Sequence, residues 1–290
     1  MSSYLYSIST DKNQATMTTH GADALVHVCQ RWRNVIFAWP HHLDLRIHCE
    51  SKTAAMKALD VWPTFSISIR KRSMLISDNR DDIIDALEHR DRIAGITLSS
   101  LGRSQFERCA SWMQGLFPVL RSLTLGCDAG YTHVITDTFL GGSAPRLQKL
   151  ELWNVPFPTL PKFLLAANDL VDLHLENITG AGCNSPDTMA ACISVLRRLR
   201  SVRISFDPRS SFPNQTNQHP PPVTRTVLPG LASFVFEGLC EYSEELISRI
   251  DAPLLNQSIS RSSINPPLTC HSYPSSYVAS KGSRCLLKLM

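Results

Sequence analysis

Apolar residues in this chain recur in a short pattern, L-x-x-L-x-L, with Leu exchanged for Ile, Val or Phe. Copies stand at Ile93/Ile96/Leu98, Leu120/Leu123/Leu125, Leu147/Leu150/Leu152, Leu170/Leu173/Leu175, Leu199/Val202/Ile204 and Leu231/Phe234/Phe236. Their first positions, 93, 120, 147, 170, 199 and 231, lie 27, 27, 23, 29 and 32 residues apart. Two weaker copies precede them, Leu43/Leu45 and Trp62 with Phe65 and Ile67. Neighbouring side chains of a strand face opposite ways, so Leu150 and Leu152 share an inner face and Glu151 takes the outer one. One such strand cannot bury its apolar face, but stacked copies make a continuous core.

Helical patterns fall between the strands. Asp81–Arg90 places Ile83, Ile84 and Leu87 on one face, and Thr159–Ala167 does the same with Leu160, Phe163, Leu164 and Ala167. Ser104 and Glu107 have the spacing of a capping box, with Phe106, Cys109, Ala110, Met113, Leu116 and Phe117 inward and Pro118 as the stop. Ser185 and Pro186 start another helix, with Met189, Cys192, Ile193 and Leu196 inward. Ser243 caps a third, with Tyr242 and Ile247 as its hydrophobic staple.

A strand and a helix repeated every ~20–29 residues is the period of leucine-rich repeats. The expected fold is α/β, a leucine-rich-repeat-like solenoid with a parallel sheet on its concave side and helices on its convex side. The asparagine that such repeats carry after the strand is out of place, because Asn154 and Asn177 fall one residue early. An asparagine ladder is therefore not expected, and irregular curvature is. Residues 207–229 hold six prolines and read as a flexible insertion. The serine-rich stretch 258–290 continues no repeat and reads as a disordered tail, as does the Ser/Thr-rich stretch 1–22 at the other end. The repeat domain is assigned to residues 41–257.

The chain has 290 residues, 43% hydrophobic and 19% charged, an ordinary globular composition. A formal charge of +4 calls for neither nucleic acid nor an anionic membrane. Nine cysteines, an odd count without a C-x-x-C pair, point to a reducing compartment. No secretory signal opens the chain and no apolar run approaches the ~20 residues of a membrane span. The expected location is cytoplasmic or nuclear.

Motifs of phosphate binding, nucleophilic hydrolysis and zinc hydrolysis are missing, so neither catalysis, cofactor nor metal is expected. His42 and His48 would share a strand face about 20 Å apart, too far for one ion, so His41, His42, His48 and Cys49 read as an ordinary strand edge. The run Arg197, Arg198, Arg200 and Arg203 reads as a solvated helix end, with an acidic or phosphate-bearing partner as the alternative. If the apolar positions face in, the alternate ones face out. Lys149, Glu151 and Trp153, then Asp172, His174 and Glu176, then Arg203 with Ser201 and Ser205 would form one patch on the concave side. Trp153 is the expected anchor for a protein partner, the competing reading being that it turns into the core near Val155 and Phe157.

The segment Val26–Pro40, V-H-V-C-Q-R-W-R-N-V-I-F-A-W-P, resembles the C-terminal end of an F-box. Leu43–Arg46, Ala86–Arg90, Phe139–Leu147 (F-L-G-G-S-A-P-R-L) and Arg249–Leu255 are similar to stretches of a fungal family of F-box proteins with leucine-rich-repeat bodies. The resemblance runs over about residues 24–257. It implies a remnant F-box helix at residues 23–40 and a role as substrate receptor of a cullin-RING ubiquitin ligase. Val28, Cys29, Trp32, Val35 and Ile36 would then meet a Skp-type adaptor. Only the last of the three F-box helices is recognisable, so adaptor binding is expected to be weak or absent. The resemblance also implies a chain truncated or mis-spliced at both ends, where family elements would continue. A repeat scaffold without a ligase role, and an enzyme with an unrecognised site, are the alternatives.

Overall fold

The computed structural model describes residues 6–10, 14–19, 46–61, 65–71, 83–128, 134–179, 182, 184–207, 225–262 and 284–285, with positions 30 and 34 alone in the segment between. The strands are β1 (Tyr6–Thr10), β2 (Gln14–Thr19), β3 (Arg46–Cys49), β4 (Ser66–Lys71), β5 (Ile93–Leu101), β6 (Ser122–Cys127), β7 (Lys149–Trp153), β8 (Asp172–Ile178), β9 (Ser201–Phe206), β10 (Thr226–Val227), β11 (Ser233–Gly238), β12 (Ile250–Asp251), β13 (Gln257–Ser262) and β14 (Arg284–Cys285). Twelve of them form one sheet in the order β14-β13-β11-β9-β8-β7-β6-β5-β4-β3-β1-β2, and β10 pairs with β12 apart from it. From β3 to β13 every neighbouring pair is parallel. Only the outermost pairs, β1 with β2 and β13 with β14, are antiparallel.

Parallel neighbours require a crossover, and the described helices fall within these connections. The helices are α1 (Lys52–Val61), α2 (Arg103–Trp112), α3 (Leu160–Leu164), α4 (Pro186–Ser194) and α5 (Cys240–Ser248), with single 3-10 turns at Ile83–Glu88 and Phe139–Gly142. Their buried side chains and the inner residues of the strands merge into one hydrophobic cluster. Arg249 ties α4 to α5 through ion pairs with Asp187 and Glu245.

The register is the one the pattern demands. Cys49 stands beside Ile69, then Ile96, Leu123, Leu150, Leu173, Val202 and Phe234, one residue per strand. All eight are at most 2% exposed. Because a one-residue slip would turn every strand inside out, this column fixes the pairing of the whole sheet.

Several local expectations are corrected. The capping box is not at Ser104/Glu107: α2 starts at Arg103, and the Gln105 carboxamide oxygen accepts from Gly102 N–H at 3.1 Å. Glu107 instead pairs with Arg103 one turn back. Leu116 is 61% exposed, because the helix has already ended and the chain has turned away. Ser243 is not the N-cap of α5, a position that Leu239 takes. Ser243 is fully buried inside α5, while Tyr242 stacks on Phe236 and donates from its hydroxyl to Asn184 O at 2.8 Å. Ser185 does cap α4, accepting from Thr188 N–H.

The early asparagines have a use. Ser100, Asn154 and Asn177 stand two residues after Leu98, Leu152 and Leu175, and all have positive φ, 55°, 56° and 54°. At Ser100 and Asn177 this left-handed residue is the extra one that shifts the register against the next strand. Asn154 joins three strands: its side-chain Nδ2 donates to Cys127 O at 2.9 Å and its backbone N–H to Glu176 O at 3.0 Å. Asparagine thus stitches neighbouring repeats here, one residue before the usual place. The F-L-G-G string is likewise a backbone device. Leu140, Gly141 and Gly142 all have positive φ, and a Cβ on Gly141 would lie 2.6 Å from Leu116. The turn buries Phe139 against Phe157 and Phe163.

Both segments expected to be disordered contribute strands. β1 and β2 extend one edge, and β13 continues the parallel array beyond residue 257, because backbone pairing with β11 needs no apolar side chain. The end of the 207–229 segment carries β10, which pairs with β12. Residues 208–224 and most of 23–40 lie outside the described residues.

Leu150→Asp should abolish the cooperative unfolding transition seen by circular dichroism, since an unpaired buried charge costs several kcal/mol against a total stability of ~5–15 kcal/mol. Asn154→Ala should cost about 2 kcal/mol from left-handed strain and a lost hydrogen bond, and Asn154→Gly about half of that. Equal losses in chemical denaturation would show that φ at this position is unimportant.

Candidate functional site

The face of the sheet away from the helices carries the alternate strand positions. The structure brings all seven expected residues together on it. Lys149 stands beside Asp172, Glu151 beside His174 and Arg203 in turn, and Trp153 beside Glu176. Lys149 and Arg203 are exposed, and the other five are half-buried. Ser201 is half-buried and Ser205 buried on the same row of strands.

Glu151 is the hub. Its carboxylate accepts from Thr124 Oγ1 at 2.8 Å, pairs with Lys149 Nζ at 2.9 Å and lies 3.8 Å from His174 Nδ1. At 3.8 Å the imidazole contact is electrostatic rather than a hydrogen bond. His174 contributes most to holding the Glu151 carboxyl down at about 2, Lys149 and Thr124 add to it, and burial opposes them. The other imidazole nitrogen is 3.1 Å from Glu176 Oε2, without hydrogen-bond geometry. Asp172 responds in the other direction: burial pushes its carboxyl up, with Lys149 and Arg200 opposing and Glu151 adding to the rise.

Trp153 lies on this open face and not beneath the following loop, where Val155 and Phe157 are themselves buried in the core. Its indole rests over Gly126, whose missing side chain leaves the room; a Cβ there would come within 3.3 Å of the ring. The imidazole of His174 meets it edge-on at 6.2 Å. The Nε1–H is buried with no acceptor, an unusual state for an indole donor.

Two participants went unrecognised in the sequence, Thr124 and Gly126. Both lie on the outer alternation of β6, so extending the row by one strand would have found them. Arg200 precedes β9 and acts on Asp172. Of the arginine run, Arg198 pairs with Asp169 at 2.8 Å, whereas Arg197, Arg200 and Arg203 are exposed. The adaptor-facing residues expected from the sequence, Val28, Cys29, Trp32, Val35 and Ile36, lie outside the described residues.

Nothing in the described residues gathers three His, Cys, Asp or Glu side chains that could hold a metal ion. Cys49, Cys109, Cys127 and Cys192 are buried and form no disulfide, and burial pushes the thiols of Cys49 and Cys127 up to about 12. Such thiols stay protonated near neutral pH and are poor nucleophiles. No described helix is long and apolar enough to cross a membrane. No protein-family model, curated protein or solved structure matches the chain.

Since Glu151 is depressed from its usual 4.5 to about 2, its ionised form contributes stability that is complete above pH 4.5 and lost as pH falls toward 2. Glu151→Gln should flatten the pH dependence of unfolding free energy across that interval. Thr124→Val should shift the Glu151 carboxyl titration, followed by NMR, upward; an unmoved titration would remove Thr124 from the network.

Proposed function

We propose that this chain is a non-catalytic protein-binding repeat protein, a leucine-rich-repeat-like solenoid whose sheet forms the concave side and whose helices form the convex side. The observation that carries this reading is the open face of β7, β8 and β9, where six polar residues stand in register around a half-buried tryptophan. Tryptophan and arginine are enriched among residues that dominate binding energy, and Trp153 and Arg203 lie two strands apart here. The ion pairs around Glu151 give the patch fixed charges before any partner arrives, which lowers the ordering cost of association. The repeat spacing and the apolar column of the sheet support the solenoid reading, and the buried, protonated thiols support a role without covalent chemistry.

The resemblance of Val26–Pro40 to the end of an F-box gives this binder its context. The repeat body would hold a protein substrate and the N-terminal segment would contact a Skp-type adaptor, in the cytoplasm or the nucleus and without a cofactor. The ligase then gains from the raised local concentration of a tethered substrate. A repeat scaffold without ligase would use the same open face.

Trp153→Ala should weaken capture of the cellular partner at least tenfold while shifting the melting temperature little, as expected of a ~2 kcal/mol interface hot spot. A large fall in melting temperature with unchanged capture would make Trp153 structural. Affinity purification of the full chain separates the two contexts: adaptor and cullin accompany a substrate receptor, and neither accompanies a scaffold.

A further inference from the structure

The parallel strands β5 to β9 and β11 all begin at one edge of the sheet, and one turn recurs there. In each connection the first leucine of the L-x-x-L-x-L copy donates its N–H to the carbonyl three residues back, as Leu120 does to Phe117 and Leu199 to Leu196. Further backbone bonds tie each turn to the next. Gln148 N–H donates to Arg121 O, Val171 to Gln148 O, Arg200 to Val171 O and Ala232 to Arg200 O, at 2.8 to 2.9 Å. The turns therefore stand side by side at the ~4.8 Å spacing of the strands, as one continuous edge.

Charge on this edge is one-sided. Among residues 113–121, 143–148, 165–171, 195–200 and 225–232, the charged side chains are Arg121, Arg146, Arg197, Arg198, Arg200 and Arg225 against a single acid, Asp169. All of these arginines except Arg121 are exposed, and Asp169 pairs with Arg198. Where the strands end, the sign reverses: Asp128, Glu176, Asp207 and Glu237 stand at or just after the ends of β6, β8, β9 and β11. The formal charge of +4 thus averages over two edges of opposite sign. Aliphatic side chains project between the arginines. Leu116, Val195 and Val227 occupy one position of the turn, directly before its buried first residue, and Leu165 lies one residue earlier in its own turn. The four are 41% to 61% exposed. Scattered exposed apolar residues are ordinary, but these recur repeat by repeat on a single basic edge.

We propose that this edge docks on an anionic lipid bilayer. Exposed guanidinium groups are drawn to the negative surface potential of acidic lipids. Leucine and valine side chains that stand between them gain by entering the boundary between headgroups and acyl chains. Because the aliphatic residues project from successive turns, a flat surface meets them together, whereas a helical peptide is held by a groove. They also give bases no aromatic face to stack on, which sets the edge apart from a nucleic-acid platform. This surface is independent of what the open face of β7 to β9 binds.

The test is flotation of the full chain with vesicles of phosphatidylcholine alone and of phosphatidylcholine with about a third phosphatidylserine. At low salt the chain should bind the acidic vesicles at least tenfold better than the neutral ones, and added salt should release it by screening. Arg197→Ala/Arg200→Ala should weaken binding to acidic vesicles at least tenfold. Val195→Gln/Val227→Gln should weaken it at least threefold. All four side chains are exposed, so both variants should keep the parent melting temperature. Arg103→Glu makes the same change of net charge beside the far end of β5, at the start of α2, and should leave vesicle binding unchanged. No preference for acidic vesicles overturns the proposal, and that arm needs no variant. An equal loss from Arg103→Glu makes the attraction a matter of net charge and overturns it, as does unchanged binding of Val195→Gln/Val227→Gln. Retention on polyglutamate or on duplex DNA without flotation overturns it in favour of an acidic protein or a nucleic acid.

Discussion

One column of apolar residues, running from Cys49 through Ile69, Ile96, Leu123, Leu150, Leu173 and Val202 to Phe234, sets everything else in this structure. Parallel strands stack ~4.8 Å apart, and each buries its inner side chains only against its neighbours and the helix that covers them. Once that column is in line, the outer residues are in line as well. The open face is therefore a by-product of the core: Glu151 meets His174 and Arg203 because Leu150 meets Leu173 and Val202.

Between strands the chain must reverse direction within a few residues and still put a helix or turn over the core. Positive φ recurs where this is tightest. Ser100 and Asn177 pass through the left-handed region as bulges within β5 and β8, Asn154 as the chain leaves β7, and Leu140–Gly142 cross it together. Asn154 converts its turn into a contact between repeats, since its side chain reaches back to β6 while its backbone donates to β8. The residues of β7 to β9 are held by their backbone ladders, and the network around Glu151 restricts them further.

Charge on that face is balanced rather than one-sided. Lys149 and Arg203 are exposed, Glu151 is satisfied by Thr124, Lys149 and His174, and Asp172 is discouraged from ionising by burial. A balanced, prearranged patch favours specificity over long-range attraction, because wrong partners leave one of these groups unpaired. Trp153 at its edge packs its half-buried indole over Gly126, with its N–H buried and without an acceptor.

The sequence by itself determined the strands β5 to β9 and β11, their parallel order and the outward alternation of β7 to β9, because a period of two repeated every 23 to 32 residues has only one way to bury its apolar half. It also located α2 to α5 through their apolar faces but missed α1. It misjudged Ser104, Ser243 and Leu116, since a cap or a helix end depends on one backbone turn that several nearby residues could provide. It undervalued Asn154, because the spacing of the usual asparagine ladder hid a left-handed turn one residue earlier. Only the tertiary structure decided that Trp153 lies over Gly126 and not under its own loop, and that Thr124 reaches Glu151 from a strand 27 residues away. Both facts depend on which side chain of the adjacent strand leaves space or offers a hydroxyl. It likewise decided that backbone pairing carries the sheet into β13 and β14, where the apolar pattern has stopped, because a strand edge recruits backbone N–H and C=O groups whatever side chains they bear.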